Sequence, residues 1–104
     1  MSPVRRSRLL SLLAELDDFL ARHEVRYDVT VHQLRLEVAG EEGPEVSDGL
    51  RAKVRSMFGG MGSLTDVWIT RYNGHRVDDE AEANRRLQEI ESALYDEVTS
   101  NGEE

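Results

Sequence analysis

The chain has 104 residues, 13 basic against 21 acidic, a net charge of −8 and no cysteine. That length supports one hydrophobic core and not two, and the missing thiols exclude disulfides, thiolate metal sites and cysteine nucleophiles. The charge is uneven: residues 78–104 hold ten acidic and two basic residues, which is the whole excess, and an acidic segment of that kind repels phosphate backbones, so direct nucleic-acid binding is not expected.

Arg5, Arg6 and Arg8 ahead of Leu9, Leu10, Leu12 and Leu13 look briefly like a signal peptide, but Glu15, Asp17 and Asp18 end the apolar run within a few residues. Spacings of three and four among Leu9, Leu12, Leu13, Leu16, Phe19 and Leu20 predict instead an amphipathic helix over about 3–23, with Ser2 as cap, Pro3 in its first turn, and Arg8, Glu15, Asp18 and Arg22 in water. No stretch reaches the eighteen apolar residues of a membrane span, and with no cysteine nothing ties the chain to an oxidising compartment, so a cytoplasmic protein is expected.

Residues 25–38 alternate at period two, Val25, Tyr27, Val29 and Val31, then Leu34, Leu36 and Val38 after a slip at His32-Gln33. This pattern, with its β-branched content, predicts one bulged strand or two short ones; a helix aligning Tyr27, Val31, Leu34 and Val38 is the alternative. Gly40, Gly43 and Pro44 mark 39–46 as a loop. Ser47 then caps a short helix with Leu50, Val54, Met57 and Phe58 on one face, stopping at Gly59-Gly60.

After the glycines, Leu64 to Thr70 reads as a buried strand, Asn73-Gly74 as a turn, and Asp78 or Asp79 as the start of a last helix. Asp79 and Glu82 have capping-box spacing, and Ala83, Leu87, Ile90, Leu94 and Val98 form its buried stripe. The expected fold is α+β: helix, strand or strands, short helix, strand, helix, with the helices on one face of a small sheet and Trp68 and Phe58 in the core. Residues 1–99 form the domain and 100–104, SNGEE, a frayed tail.

The most distinctive segment is Phe58-Gly59-Gly60-Met61-Gly62-Ser63-Leu64-Thr65-Asp66. Its glycines imply positive φ angles or a close approach of backbone. As a functional element it would be a nest of amides for an anion; as a structural one, a helix cap and tight turn fixed by Ser63 and Asp66, which is the preferred reading. The lysine and spacing of a P-loop are absent.

From Met57 through FGGMGSLTDVWI, then Asn73-Gly74-His75 and ANRRLQEIESALYDEV, about half of the chain resembles a group of small bacterial proteins of uncharacterised function. In that group the segment before the motif often reads as helix, where 25–38 here reads as strand, and Thr65 stands where Asn is more usual. The resemblance implies no activity; it implies the company of small bacterial accessory proteins, immunity proteins among them.

Catalytic chemistry finds no complete constellation. Ser63 has no strand-to-helix elbow and no histidine placed to serve it. Asp17-Asp18, Glu41-Glu42 and Asp78-Asp79 are adjacent in sequence and therefore point apart on a helix or sit in a loop. His75 lies near Asp78 and Asp79, but these acids suit a helix N-terminus and lack metal-ligand spacing. No enzyme, cofactor or metal is therefore expected. The leading expectation is a protein-binding accessory module, immunity-like or antitoxin-like, that presents Glu82, Glu89 and Asp96 to a basic protein partner with Tyr72 or Tyr95 as anchor. The alternatives are a small ligand- or metal-binding domain using the glycine turn and His75, and self-association into a homodimer through apolar helix stripes.

Overall fold

The computed structural model describes residues 4–59 and 64–99. Four α-helices account for the regular structure: α1 Arg6–Arg22, α2 Asp28–Gly40, α3 Asp48–Ser56 and α4 Glu80–Thr99, with single 3-10 turns at Leu64–Asp66 and Arg71–Asn73 between the last two. Among the described residues there is no sheet, only an isolated bridge between Arg5 and Glu45. The fold is therefore all-helical, which corrects the α+β expectation.

The centre is α1, which packs against both α2 and α4, while α3 lies across α4 and α2. Serving two neighbours requires a wide apolar face, and Leu9, Leu12, Leu13, Leu16, Phe19 and Leu20 are all buried. Ser2 and Pro3, expected to open this helix, lie outside the described residues. Arg5 stands at its N-cap without a side-chain cap. One orphan donor of the first turn is met from the 41–46 loop, the Arg6 amide donating to the Pro44 carbonyl at 2.8 Å; the Arg6 Nε also donates to the Gly43 carbonyl at 2.7 Å, and the Val46 amide donates to the Val4 carbonyl at 2.9 Å.

At its other end α1 closes in a Schellman motif. Glu24 sits at φ 57°, its amide donates to Ala21 at 3.1 Å, and the Val25 amide donates to Leu20 at 3.0 Å, with Leu20 and Val25 both buried. A glutamate in the left-handed region where glycine is usual is strained by roughly 1–2 kcal/mol, and it reverses the chain directly into α2.

That reversal decides the fate of residues 25–38. As a helix they bury Val31, Leu34 and Val38 and leave Leu36 53% exposed, whereas the alternating strand pattern would have put Leu34, Leu36 and Val38 together. Strand preference in β-branched residues is weak compared with burial of a helical stripe against α1, and among the described residues there is no strand to pair with. The helix reading of Val31, Leu34 and Val38 is the one realised.

The second expected strand fails for a related reason. Leu64–Asp66 is a 3-10 turn and 67–70 carries no regular structure, with only Thr70 recorded in an extended conformation. Ile69 is buried and Trp68, expected in the core, is 52% exposed. Phe58 is only partly buried, packed on the edge of the core. The α3 and α4 expectations are met: the Leu50 amide donates to the Ser47 hydroxyl, the Glu82 amide donates to Asp79 Oδ1 at 3.0 Å, and Ala83, Leu87, Ile90, Leu94 and Val98 are buried. Residues 100–104, expected to fray, lie outside the described residues.

Candidate functional site

The backbone of residues 67–70 needs partners it cannot find in a sheet. Asn84, buried within the apolar stripe of α4, supplies them: its Oδ1 accepts the Ile69 amide at 2.7 Å, and its Nδ2 donates to the Ile69 carbonyl at 2.8 Å and to Glu80 at 2.8 Å. A side-chain amide thus takes the place of a neighbouring strand. The segment beyond is braced as firmly. Thr70 caps the Arg71–Asn73 turn through its hydroxyl, Gly74 ends it at φ 84°, and the Arg71 guanidinium donates to the carbonyls of Val77 and Asp78. Glu80 accepts the Arg71 amide at 2.9 Å.

Two histidines fix the rim. The Thr70 amide donates to His75 Nδ1 at 3.2 Å, which places the His75 proton on Nε2. His23 Nδ1 faces the Arg76 carbonyl at 2.6 Å and must donate there, while the Arg76 amide donates back to the His23 carbonyl at 2.8 Å. Glu24 pairs with Arg76 at 3.7 Å. Between the α1–α2 reversal and this braced segment lies an open cavity of about 390 Å3, lined by Glu24, Arg26 and Tyr27 on one side and by Asp66, Trp68 and His75 on the other. Burial pushes the Tyr27 phenol up from its ordinary range, against an opposing contact with the Leu64 backbone. Tyr72, which precedes the lining residue Asn73 in the chain, is 95% exposed.

The acidic face of α4 is less free than its composition implies. Arg85 bonds to both Glu82 and Glu89, and Arg86 bonds to Glu89 and to Glu15 on α1. The hydrogen bond from Arg85 holds the Glu82 carboxyl below the ordinary range. Glu82 and Glu89 are therefore rungs of a helix-surface charge ladder whose exposed pairs are screened by solvent and salt. Asp96 and Tyr95 sit apart from that ladder, in a second cavity of about 300 Å3 with Phe58, Gln88, Glu91 and Ser92. Tyr95 meets Phe58 edge to face, ring centroids 5.1 Å apart.

Glu91 is the anomalous carboxylate. Burial alone raises it from 4.5 to about 7. Its folded-state value lies above its unfolded one, so the native state holds the extra proton between those limits, and stability falls as pH rises through that window. Glu91→Gln is expected to match the wild type near pH 5 and to be the more stable protein at pH 8 in urea unfolding. An equal gap at both pH values would show that Glu91 titrates normally.

Among the sequence-predicted residues, Tyr95 and Asp96 are brought into the second cavity, Tyr72 is exposed and lines neither cavity, and Glu82 and Glu89 are tied to arginines. Asp66 is exposed and lines the first cavity. Gly59 has open space around it and no positive φ, so glycine is not required there. Gly60, Gly62 and Ser63 lie outside the described residues, and with them the glycine turn. No group of three or more His, Asp or Glu suited to a metal occurs among the described residues, and His75 has one ring nitrogen already engaged. No helix among them is long and apolar enough to cross a membrane.

Three polar features escaped the sequence reading: Asn84, Glu91, and Asp17. Asp17 is buried on α1 and accepts from His32 Nδ1 at 2.8 Å and Arg35 at 3.0 Å, both from α2. The bond to Asp17 is the main reason the Arg35 guanidinium is held above its ordinary value. Each of the three was legible as a polar residue among the apolar positions of a helix.

No curated protein and no solved structure matches the chain. A family model does match, over residues 21–78, a span that contains every residue lining the first cavity and stops short of α4. Because that span is more than half of the 104 residues, the chain belongs to the family described as Domain of unknown function (DUF6966).

Proposed function

We propose that the chain is a non-enzymatic protein-binding accessory module of the cytoplasm, immunity-like or antitoxin-like, that docks through residues 67–75 with Trp68 and Tyr72 as anchors. The observation that carries this reading is the exposure of two large aromatics, 52% and 95%, on a segment whose backbone is pinned by Asn84 and Arg71. Tryptophan and tyrosine are the residues that most often dominate binding energy, and a surface already ordered in the free protein loses little entropy on docking. The net charge of −8 favours a basic partner and steers its approach.

The weight of the contact falls on the aromatics and not on Glu82 and Glu89, whose charges Arg85 and Arg86 already offset. Once a partner is captured by crosslinking in the native host, Trp68→Ala and Tyr72→Ala are each expected to weaken its binding at least tenfold with unchanged helicity by circular dichroism, in line with hot-spot losses of about 2 kcal/mol. Glu82→Gln should alter mainly the association rate and its salt dependence. Alanine variants that bind as tightly as the wild type would sink this reading.

A further inference from the structure

The three histidines of the chain each bond through Nδ1, and they differ in what a proton does to that bond. His23 donates to the Arg76 carbonyl at 2.6 Å and His32 to the Asp17 carboxylate at 2.8 Å. Both bonds use an N–H that the imidazolium also carries, so both survive protonation. His75 is the reverse case. Its Nδ1 accepts the Thr70 amide at 3.2 Å, and an imidazolium has no acceptor to offer. Protonation there sets two N–H donors against each other. The bond also closes a loop: the His75 amide donates to the Thr70 carbonyl at 3.1 Å, and the Asn73 amide donates to the Thr70 hydroxyl at 3.0 Å. Tyr72 lies inside that loop, and Trp68 lies two residues before Thr70.

We propose that His75 is a proton-operated latch on the docking segment. The neutral ring holds the Thr70 amide and orders residues 70–75; the protonated ring can only donate, so the bond is lost and the loop carrying Tyr72 is released. Glu24, Arg26 and Tyr27 from the α1–α2 reversal and Asp66 from the turn at Leu64–Asp66 share the cavity walls with His75. Arg76, next in the chain, pairs with Glu24 at 3.7 Å. Arg71 is turned to the carbonyls of Val77 and Asp78, Glu80 takes the Arg71 amide, and Asp79 caps α4. The charges of Glu24 and Asp66 are matched by those of Arg26 and Arg76, which leaves the Thr70 donor as the interaction that distinguishes the two forms of the ring. Histidine ordinarily changes charge between pH 5 and 8, and the latch is expected to open within that interval. That it governs docking rests on the protein-binding reading; the coupling of His75 to the order of residues 70–75 does not.

Nitrogen NMR of the full chain, read at the imidazole rings and the backbone amides between pH 8 and pH 5, tests the latch. At pH 8 His75 is expected as the Nε2–H tautomer with the Thr70 amide protected from exchange. At pH 5 the Thr70 protection factor should fall about tenfold, as for an amide that loses its acceptor, and the Tyr72 and Asn73 amides should shift with the midpoint of the His75 ring. His75→Asn sets an amide oxygen close to the place of Nδ1 and cannot titrate, so its Thr70 protection should be equal at both pH values. His75→Phe should behave at pH 8 as the wild type does at pH 5, and the wild-type titration stands without either variant. An Nδ1–H tautomer at pH 8, Thr70 protection unchanged between pH 8 and pH 5, or the same loss in His75→Asn would each overturn the latch. Glu91, whose burial lowers stability as pH rises, acts with the opposite sign and cannot mimic it. All of this is measured on the free protein, so tight binding by Trp68→Ala and Tyr72→Ala would sink the docking reading and leave the latch standing.

Discussion

Replacing Asn84 with alanine is expected to destabilise the protein by about 3 kcal/mol, because it orphans two buried backbone groups at roughly 1–3 kcal/mol each. Those groups are the amide and carbonyl of Ile69, a residue with no exposed surface. The effect should be local as well as global. Trp68, the only tryptophan of the chain, is adjacent to the clamp, so its fluorescence should become more accessible to acrylamide, and the Ile69 amide should exchange faster in deuterium. Asn84→Asp is a sharper probe. It keeps an acceptor for the Ile69 amide but loses both donations and sets a charge against the Ile69 and Glu80 carbonyls, so it should cost at least as much as alanine. Wild-type stability and exchange in Asn84→Ala would show that 67–70 is held by its apolar contacts alone, and the preordered docking surface would lose its basis.

Asp17→Ala is expected to cost about 2–3 kcal/mol, somewhat under the 3–5 kcal/mol of a fully buried pair. Asp17 is buried, but His32 and Arg35 remain partly in water, with side-chain exposures of 58% and 34%, so each can recover some hydration when its acceptor is removed. The neighbouring Asp18 contact to Arg35, at 3.3 Å on the surface, should by contrast be worth little, and Asp18→Asn should stay within about 0.5 kcal/mol of the wild type. Combining Asp17→Leu with Arg35→Met replaces a charged junction between α1 and α2 by an apolar one and should restore most of the loss. Denaturant unfolding of the single and double variants measures this directly. If Asp17→Ala and Asp18→Asn behaved alike, the α1–α2 junction would owe its stability to the leucines and not to Asp17.

Much of the helical framework was legible in the residues. The stripes of α1 and α4 and the caps at Ser47 and Asp79 were readable because a wide amphipathic pattern with a matching cap has few other solutions. The candidate surface was less so. Tyr72, Tyr95 and Asp96 could be picked out as types, but their grouping, with Trp68 at one end and with Phe58 and Glu91 at the other, depends on which segments of the chain meet.

What the chain determined by itself was thus the helices whose periodicity admits one reading, the absence of thiol chemistry and the concentration of acid after Val77. Tertiary structure decided the rest. Residues 25–38 carry a pattern compatible with both strand and helix, and only the α1 surface, reached through the strained turn at Glu24, selected the helix that buries Val31, Leu34 and Val38. Residues 64–70 carry strand preference, yet the buried Ile69 found its backbone partners in one amide, Asn84, fifteen residues away on a helix. Local preference is worth tenths of a kcal/mol per residue, while a buried face or an unpaired backbone group is worth several times more. For that reason the long-range contacts overrode the local pattern wherever the two disagreed, and they turned Trp68 outward.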